Sequence, residues 1–295
     1  MSQNVPTHYA QQYANNIELL LQQKGSRLSD SVSFQPITGA KAATPVEQIG
    51  AVEARRRTTR YPSLTPQDTP HDRPWIYPVD YDWNDLIDSI DKLRTVVDPQ
   101  SSYVENGTYA MGRAKDDEII AAFFADRKTG EDAGTTVSFP AGQQVAVNFG
   151  SASNVGLTVA KLREALRLLM AAEVDLDNDP LTLAITSTQH DNLLAEIQVI
   201  SSDFNGDKPV LQEGRITRFL GFNFKRLERL KTNGSGFRRA PAYSKSGMVL
   251  GMWNDISTDI SQRKDLAGLP FQVYVYGTFG ATRKEEKKVV EIICN

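Results

Sequence analysis

The stretch Glu53–Pro78, EARRRTTRYPSLTPQDTPHDRPWIYP, sets five arginines beside prolines at Pro62, Pro66, Pro70, Pro74 and Pro78. A proline every fourth residue removes backbone donors and clashes with helical geometry, so no helix runs through it. A central strand is excluded by the same lost donors. What remains is an extended, edge-strand or polyproline-like excursion of roughly 25 residues, longer than an ordinary connector in a compact domain, and loops of that length are functional or disordered. The cluster Arg55, Arg56, Arg57, Arg60 and Arg73 admits a phosphate-binding reading and a protein-binding one. Glu53, Asp68 and Asp72 are interleaved with it, and no nucleic-acid-binding motif accompanies it. Guanidinium groups pair with carboxylates across protein interfaces, and Tyr61, Trp75 and Tyr77 are typical interface anchors. The stretch therefore reads as an arm that contacts protein.

The rest of the chain sets the context for such an arm. Its 295 residues are enough for two or so compact regions with a substantial core. With 23% charged and 40% hydrophobic residues and a net charge of -3, it is an ordinary soluble composition without a general pull on nucleic acid. No run of about 20 apolar residues is present and the first residues lack the pattern of a signal peptide, so no membrane partner and a cytoplasmic site of synthesis and folding are expected. The single cysteine, Cys294, allows neither an intrachain disulfide nor a cysteine metal cluster.

Local patterns predict the elements. Tyr9, Tyr13, Ile17, Leu20 and Leu21 recur at helical spacing before Gly25, and predict an amphipathic helix over Thr7–Lys24. Ser31–Thr59 reads as edge strands. Asp82 is placed to cap a helix with the stripe Trp83, Leu86, Ile87, Ile90, Leu93 and Val97, ending at Asp98-Pro99. From Ser101 to Gly130 no proline intervenes and alanines abound, which predicts one helix of about 26 residues and about 39 Å. Gly107, Ala110, Gly112 and Ala114 would let another element approach it closely, and Gly107 and Gly112 would make it easier to bend. An α/β rhythm follows: a helix capped by Thr158, a buried strand LTLAIT, and a helix opened by a Thr186/Gln189 capping box. The runs FQVYVYGTFGAT and KKVVEIIC, joined by the charged RKEE, read as a β-hairpin.

Catalytic constellations are missing. The sequence holds no phosphate-binding loop, dinucleotide fingerprint, zinc-protease or nucleophile-elbow motif. DLDND (Asp175–Asp179) opens like a calcium loop but has Pro180 and Thr186 where glycine and glutamate are needed, so it reads as an acidic turn. Asp116, Asp117 and Glu118 point about 100° apart on a helix and read as a solvated face. His8, His71 and His190 are scattered. No catalytic, cofactor-binding or metal-binding residue is expected, and the chain is not read as an enzyme.

The order of these pieces resembles the major capsid proteins of tailed bacteriophages with the Hong Kong 97 phage fold. The resemblance is carried most strongly by RPWIYPVDYDWNDLIDSIDKLRTVVDPQSSYVENGTYAMGRAKDDEIIAAFFADRKTG (Arg73–Gly130), continued by TVSFPAGQQVAV and supported by QQKGSRL and KKVVEIIC. It implies an α+β capsid fold: an N-terminal arm over 1–32, an extended E-loop over 33–81, a peripheral domain with a long spine helix over 82–148, an α/β axial domain over 149–267, and a hairpin over 268–295 returning to the peripheral domain. It implies hexamers and pentamers of an icosahedral head assembled in the host bacterial cytoplasm, enclosing double-stranded DNA without sequence specificity, with portal, scaffold and cement proteins as partners. Arg55, Arg56, Arg57, Arg60, Tyr61, Arg73, Trp75 and Tyr77 become intersubunit contacts of the E-loop, and Gly107 and Gly112 points of spine flexibility. The namesake phage cross-links its E-loop lysine to an asparagine. Here the only lysine near that region is Lys41, at its base, so no covalent cross-link is expected. An encapsulin-like compartment shell shares the fold and is the nearest alternative, with a nucleic-acid-binding protein further off.

Overall fold

A computed structural model describes residues 20–39, 47–61, 63–64, 66–87, 100–196, 211–212 and 215–295. In chain order, β1 (Ser33–Pro36), β2 (Gln48–Ile49), β3 (His71–Asp72) and β4 (Val79–Ile87) precede the long helix α1 (Gln100–Phe124). Next come β5 (Arg127–Thr129), β6 (Thr135–Val137), β7 (Gln144–Val145), α2 (Val159–Ala171), β8 (Leu181–Ile185) and α3 (Ser187–Leu194). They are followed by β9 (Leu211–Gln212), β10 (Arg215–Ile216), β11 (Arg218–Phe219) and β12 (Phe222–Arg226). Then come β13 (Arg238–Ser244), β14 (Met248–Gln262), β15 (Phe271–Arg283) and β16 (Val289–Cys294). The chain divides into two compact units, one of Arg27–Val79, Lys115–Trp253 and Thr278–Asn295, the other of Met1–Ser26, Asp80–Ala114 and Asn254–Gly277.

The larger unit is built on a six-stranded mixed sheet in the order β11-β12-β8-β13-β16-β7. β8 lies inside it, parallel to β12 and antiparallel to β13, and every one of its residues is buried, as suits a run that is apolar but for Thr182. α2 covers the sheet with Leu162, Ala165 and Leu169, which share a core with Leu183, Ile185, Ala240 and Ile292. Thr158 caps α2 by accepting the Lys161 N–H, and Thr186 opens α3 with its own N–H donating 3.1 Å to Gln189 Oε1, both as expected. Lys161 is wholly buried yet satisfied: Nζ donates to the carbonyls of Val155 (2.7 Å) and Ile293 (2.8 Å). Its burial holds its pKa below the usual lysine range, and that of the adjoining Cys294 thiol is pushed up to about 11.

In the smaller unit, Ile87, Met111, Val273 and Val275 form a core with Tyr81, Trp83, Tyr103, Val104 and Ile256 around it. The helical glycines are packing positions. A Cβ on Gly107 would stand 2.6 Å from the Trp83 ring and 2.8 Å from Val275, and one on Gly112 would stand 2.6 Å from the backbone of Gly25. The chain also forms a four-stranded sheet of order β1-β14-β15-β4, in which β1 and residues 249–252 of β14, both of the larger unit, pair in parallel in the register Ser33↔Val249 to Pro36↔Met252.

Three expectations are corrected. Asp82 starts no helix, because Val79–Ile87 is strand β4; its Tyr81, Trp83 and Ile87 lie two and four residues apart on one face of the strand, and this alternation prevails over the overlapping helical stripe. Residues 88–99, the rest of that reading, lie outside the described residues. The final hairpin is absent: β15 pairs in the four-stranded sheet, whereas β16 sits between β13 and β7. The RKEE residues do not form a surface turn, since Arg283 is fully buried and Glu286 pairs with Arg127. β15 pairs instead with β14. Asp116 is buried, not solvated; its carboxylate accepts the N–H groups of Arg27 (3.1 and 3.0 Å) and Leu28 (3.1 Å), while Asp117 pairs with Arg229. The long helix stands at 25 residues, ending at Phe124 where β5 soon follows. Of the N-terminal helix, residues 7–19 lie outside the described residues, and residues 20–24 are not helical.

Gly112→Ala is expected to destabilise the protein by about 1–3 kcal/mol in urea denaturation, because a backbone facing it at 2.6 Å has no rotamer with which to yield. A gain of about 1 kcal/mol, the helix-propensity benefit alone, would show that the close approach is not required.

Candidate functional site

The arginine stretch is an excursion closed at its base by a two-residue clasp. β2 and β3 pair antiparallel, Gln48↔Asp72 and Ile49↔His71, and the Gly50 N–H donates 2.7 Å to the Pro70 carbonyl. Residues 51–61 beyond the clasp are exposed throughout. Tyr61 is 87% exposed and Leu64 99% exposed, so the tip has no core of its own. Arg55, Arg56 and Arg57 line a pocket with Leu64 inside the arm. Arg57 donates to the carbonyls of Thr59 and Arg60 and thus shapes the tip, while among the described residues no acceptor holds the guanidinium of Arg55, Arg56 or Arg60.

The base behaves differently. Arg73 pairs with Glu47 and so joins the two limbs of the arm. Its carbonyl accepts the Gly130 N–H at 3.2 Å, and the Trp75 N–H donates 3.0 Å to Lys128. Trp75 is half-buried, and its Nε1 donates 2.7 Å to the Gly130 carbonyl. The Tyr77 carbonyl lies against Gly280, where a Cβ would be only 2.1 Å away. Arg73 and Trp75 therefore hold the arm to its own chain, Tyr77 packs its backbone on Gly280 with its side chain exposed, and Arg55, Arg56, Arg57, Arg60 and Tyr61 are carried outward. Composition could not separate these two sets, since an aromatic that anchors its own chain looks like one that anchors a partner's.

Asp72 and Arg127 form the fixed point of the clasp, which sequence reading missed. Arg127 NH2 donates 2.7 Å to Asp72 Oδ2 and 3.0 Å to Glu286, and NH1 donates 2.8 Å to the Lys284 carbonyl. The Thr129 hydroxyl donates to the other Asp72 oxygen. Partial burial by itself would raise the Asp72 pKa; the hydrogen bonds from Thr129 and Arg127 and the charge of Arg127 outweigh it and hold the carboxyl below its ordinary range. His190, buried in the larger unit, accepts the Ile216 N–H at Nε2 (3.3 Å), and burial followed by the charge of Arg226 lowers its pKa, so it is a structural acceptor. Asp175 accepts the N–H groups of Asp177 and Asn178, which makes DLDND a capped turn. Among the described residues no group of three or more His, Cys, Asp or Glu is placed to hold a metal, and no helix is long and apolar enough to cross a membrane.

The same fold occurs in solved phage capsids. The chain superposes on the capsid structure of Cyanophage P-SCSP1u with a TM-score of 0.74 at 14% identity, covering 100% of this chain and 95% of that one. It matches the Cyanophage Pam1 capsid with a TM-score of 0.73 at 13% identity (98% and 97% covered) and a Mycobacterium phage Che8 structure with 0.69 at 12% (96% and 97% covered). Residues 5–295 match the family model described as phage capsid protein, and the chain belongs to that family. No curated protein matches the sequence.

The depressed Asp72 pKa fixes a direction. The ionised carboxylate contributes stability above its unfolded value near 3.8, and that contribution is lost as pH falls through the lower folded value. The clasp is thus intact at neutral pH and loosens only in strong acid. Asp72→Ala is expected to speed hydrogen exchange at the Gly50 amide at pH 7; unchanged exchange would show that the Gly50–Pro70 pairing stands without the ion pair.

Proposed function

We propose that the protein is the major shell subunit of a tailed-phage head, assembling as hexamers and pentamers around double-stranded DNA in the host cytoplasm and ending in the virion. The observation that carries this is the arm: tip residues 51–61 are exposed, with Tyr61 and Leu64 almost wholly so, on a chain whose family is phage capsid protein. An arm without its own core orders on a neighbour, and many such contacts, each weak, hold a subunit in a closed shell. In this reading residues 1–32 are the N-terminal arm, 33–81 the E-loop, α1 the spine helix, the smaller unit the peripheral region and the six-stranded unit the axial region. The role is structural and not enzymatic. A net charge of -3 suits a lining over which DNA moves without sticking, and portal, scaffold and cement proteins are the expected partners. Bending of α1 at Gly107 and Gly112 during shell expansion belongs to the same proposal, and is read as a change of α1 curvature between precursor and mature particles.

Light scattering coupled to size exclusion, with negative-stain microscopy, tests the reading. Rings or closed shells are expected; a persistent 32.7 kDa monomer, even when neighbouring genes are co-expressed, would overturn it. Boiled mature particles are expected to run as monomers on a denaturing gel, and covalent ladders would refute the absence of cross-links.

A further inference from the structure

Two limbs of chain meet at the tip of the arm. Residues 55–58 run outward, Ser63, Leu64 and Gln67 run back, and together they enclose a concavity of about 400 Å³. The β2–β3 clasp keeps the limbs together at their base, and Arg57, which donates to the Thr59 and Arg60 carbonyls, shapes the turn between them. Apart from Leu64, every lining residue carries a side-chain donor: three guanidinium groups, the hydroxyls of Thr58 and Ser63, and the amide of Gln67. Among the described residues no carboxylate lines it.

The sequence interleaves acids with these arginines, and the structure keeps the two apart. Asp72 is taken by Arg127 and Thr129, and among the described residues neither Glu53 nor Asp68 pairs with an arginine. Arg55 and Arg56 are exposed, adjacent to each other and to Arg57, and have no acceptor among the described residues. We infer that the arm tip binds a compact, multiply charged oxyanion of the phosphate or pyrophosphate class, held between the two limbs by Arg55, Arg56 and Arg57 with Ser63 and Gln67. Guanidinium forks match phosphate oxygens bidentately, and such an anion offers more acceptor oxygens and more charge than a single carboxylate. Three neighbouring cations repel one another in the empty tip, so an anion among them relieves that repulsion as well as accepting their hydrogen bonds. The clasp has already brought the limbs together, so binding orders few further residues. A long polyanion suits the site less well: Glu53 and Asp68, one on each limb, repel a strand that continues past the concavity. The bound anion braces one limb against the other. This inference adds a ligand to the arm and stands independently of the shell reading.

Calorimetric titration of the full chain with sodium pyrophosphate, at low ionic strength, is the test. Saturable binding is expected, weakened about tenfold or more by Arg55→Gln with Arg56→Gln and about threefold by Ser63→Ala. These side chains are exposed, so the urea midpoint is expected to stay at the parent value and to exclude misfolding as the cause. Arg55→Lys with Arg56→Lys keeps the charge and removes the forks, and its affinity is expected to fall between parent and glutamine variant. Saturating pyrophosphate is also expected to slow amide hydrogen exchange over residues 55–61 in the parent and not in the glutamine variant. Absence of saturable binding, or binding that the glutamine variant leaves unchanged, would overturn the inference. Duplex DNA bound through the same arginines, with a steep salt dependence and no displacement by pyrophosphate, would make nucleic acid the ligand and overturn it too.

Discussion

The C-terminus of α1 is the constraint on which the larger unit depends. A helix leaves its last carbonyls without intrahelical donors, and here they end against buried structure, where water cannot replace the missing donors. Arg283 supplies them from β15: NH1 donates to the carbonyls of Ala122 (3.1 Å), Phe123 (2.8 Å) and Ala125 (2.6 Å). The side chain is fully buried and burial lowers its pKa to about 10, so at neutral pH it keeps the positive charge that the negative helix end favours. Nearby Arg127 opposes that charge and Glu286 offsets it. Because Arg127 also grips Asp72, the helix end, the bend before β16 and the base of the arm share one electrostatic network.

That network separates rigid from adaptable parts within a few residues. Below the clasp, Trp75 is hydrogen-bonded to Gly130 and the Tyr77 backbone lies against Gly280. Above it, the chain runs on without a core. Holding the base of a long loop reduces the conformational space the tip explores, so ordering it on a partner costs less than ordering a free tail. The arginines thus sit on an exposed stretch whose base is held to its own chain.

Much of the fold was legible in the sequence, because α1, β8 and the caps at Thr158 and Thr186 are written in local patterns that their surroundings do not contradict. The misreadings came where distant chain decides. Val79–Ile87 carries apolar residues at both helical and alternating spacing, and only a partner strand selects one of them. Nothing around Asp116 announces that the backbone at Arg27 and Leu28 needs an acceptor. Arg283 and Glu286 resemble turn residues until a helix end and a second arginine are brought against them. For the arm, proline spacing and the arginine cluster showed its extended character directly, while the division between its anchored base and its free tip depended on contacts with Lys128 and Gly130.

The position of β16 bears on when a subunit becomes competent. It lies inside the six-stranded sheet, pairing with β13 along six residues and with β7 on its other side, yet it is translated after all the other described strands. On the ribosome, β7 therefore lacks its partner and Lys161 lacks the Ile293 carbonyl until residues 289–294 have emerged. The six-stranded sheet is therefore closed between β13 and β7 only by the last described strand of the chain.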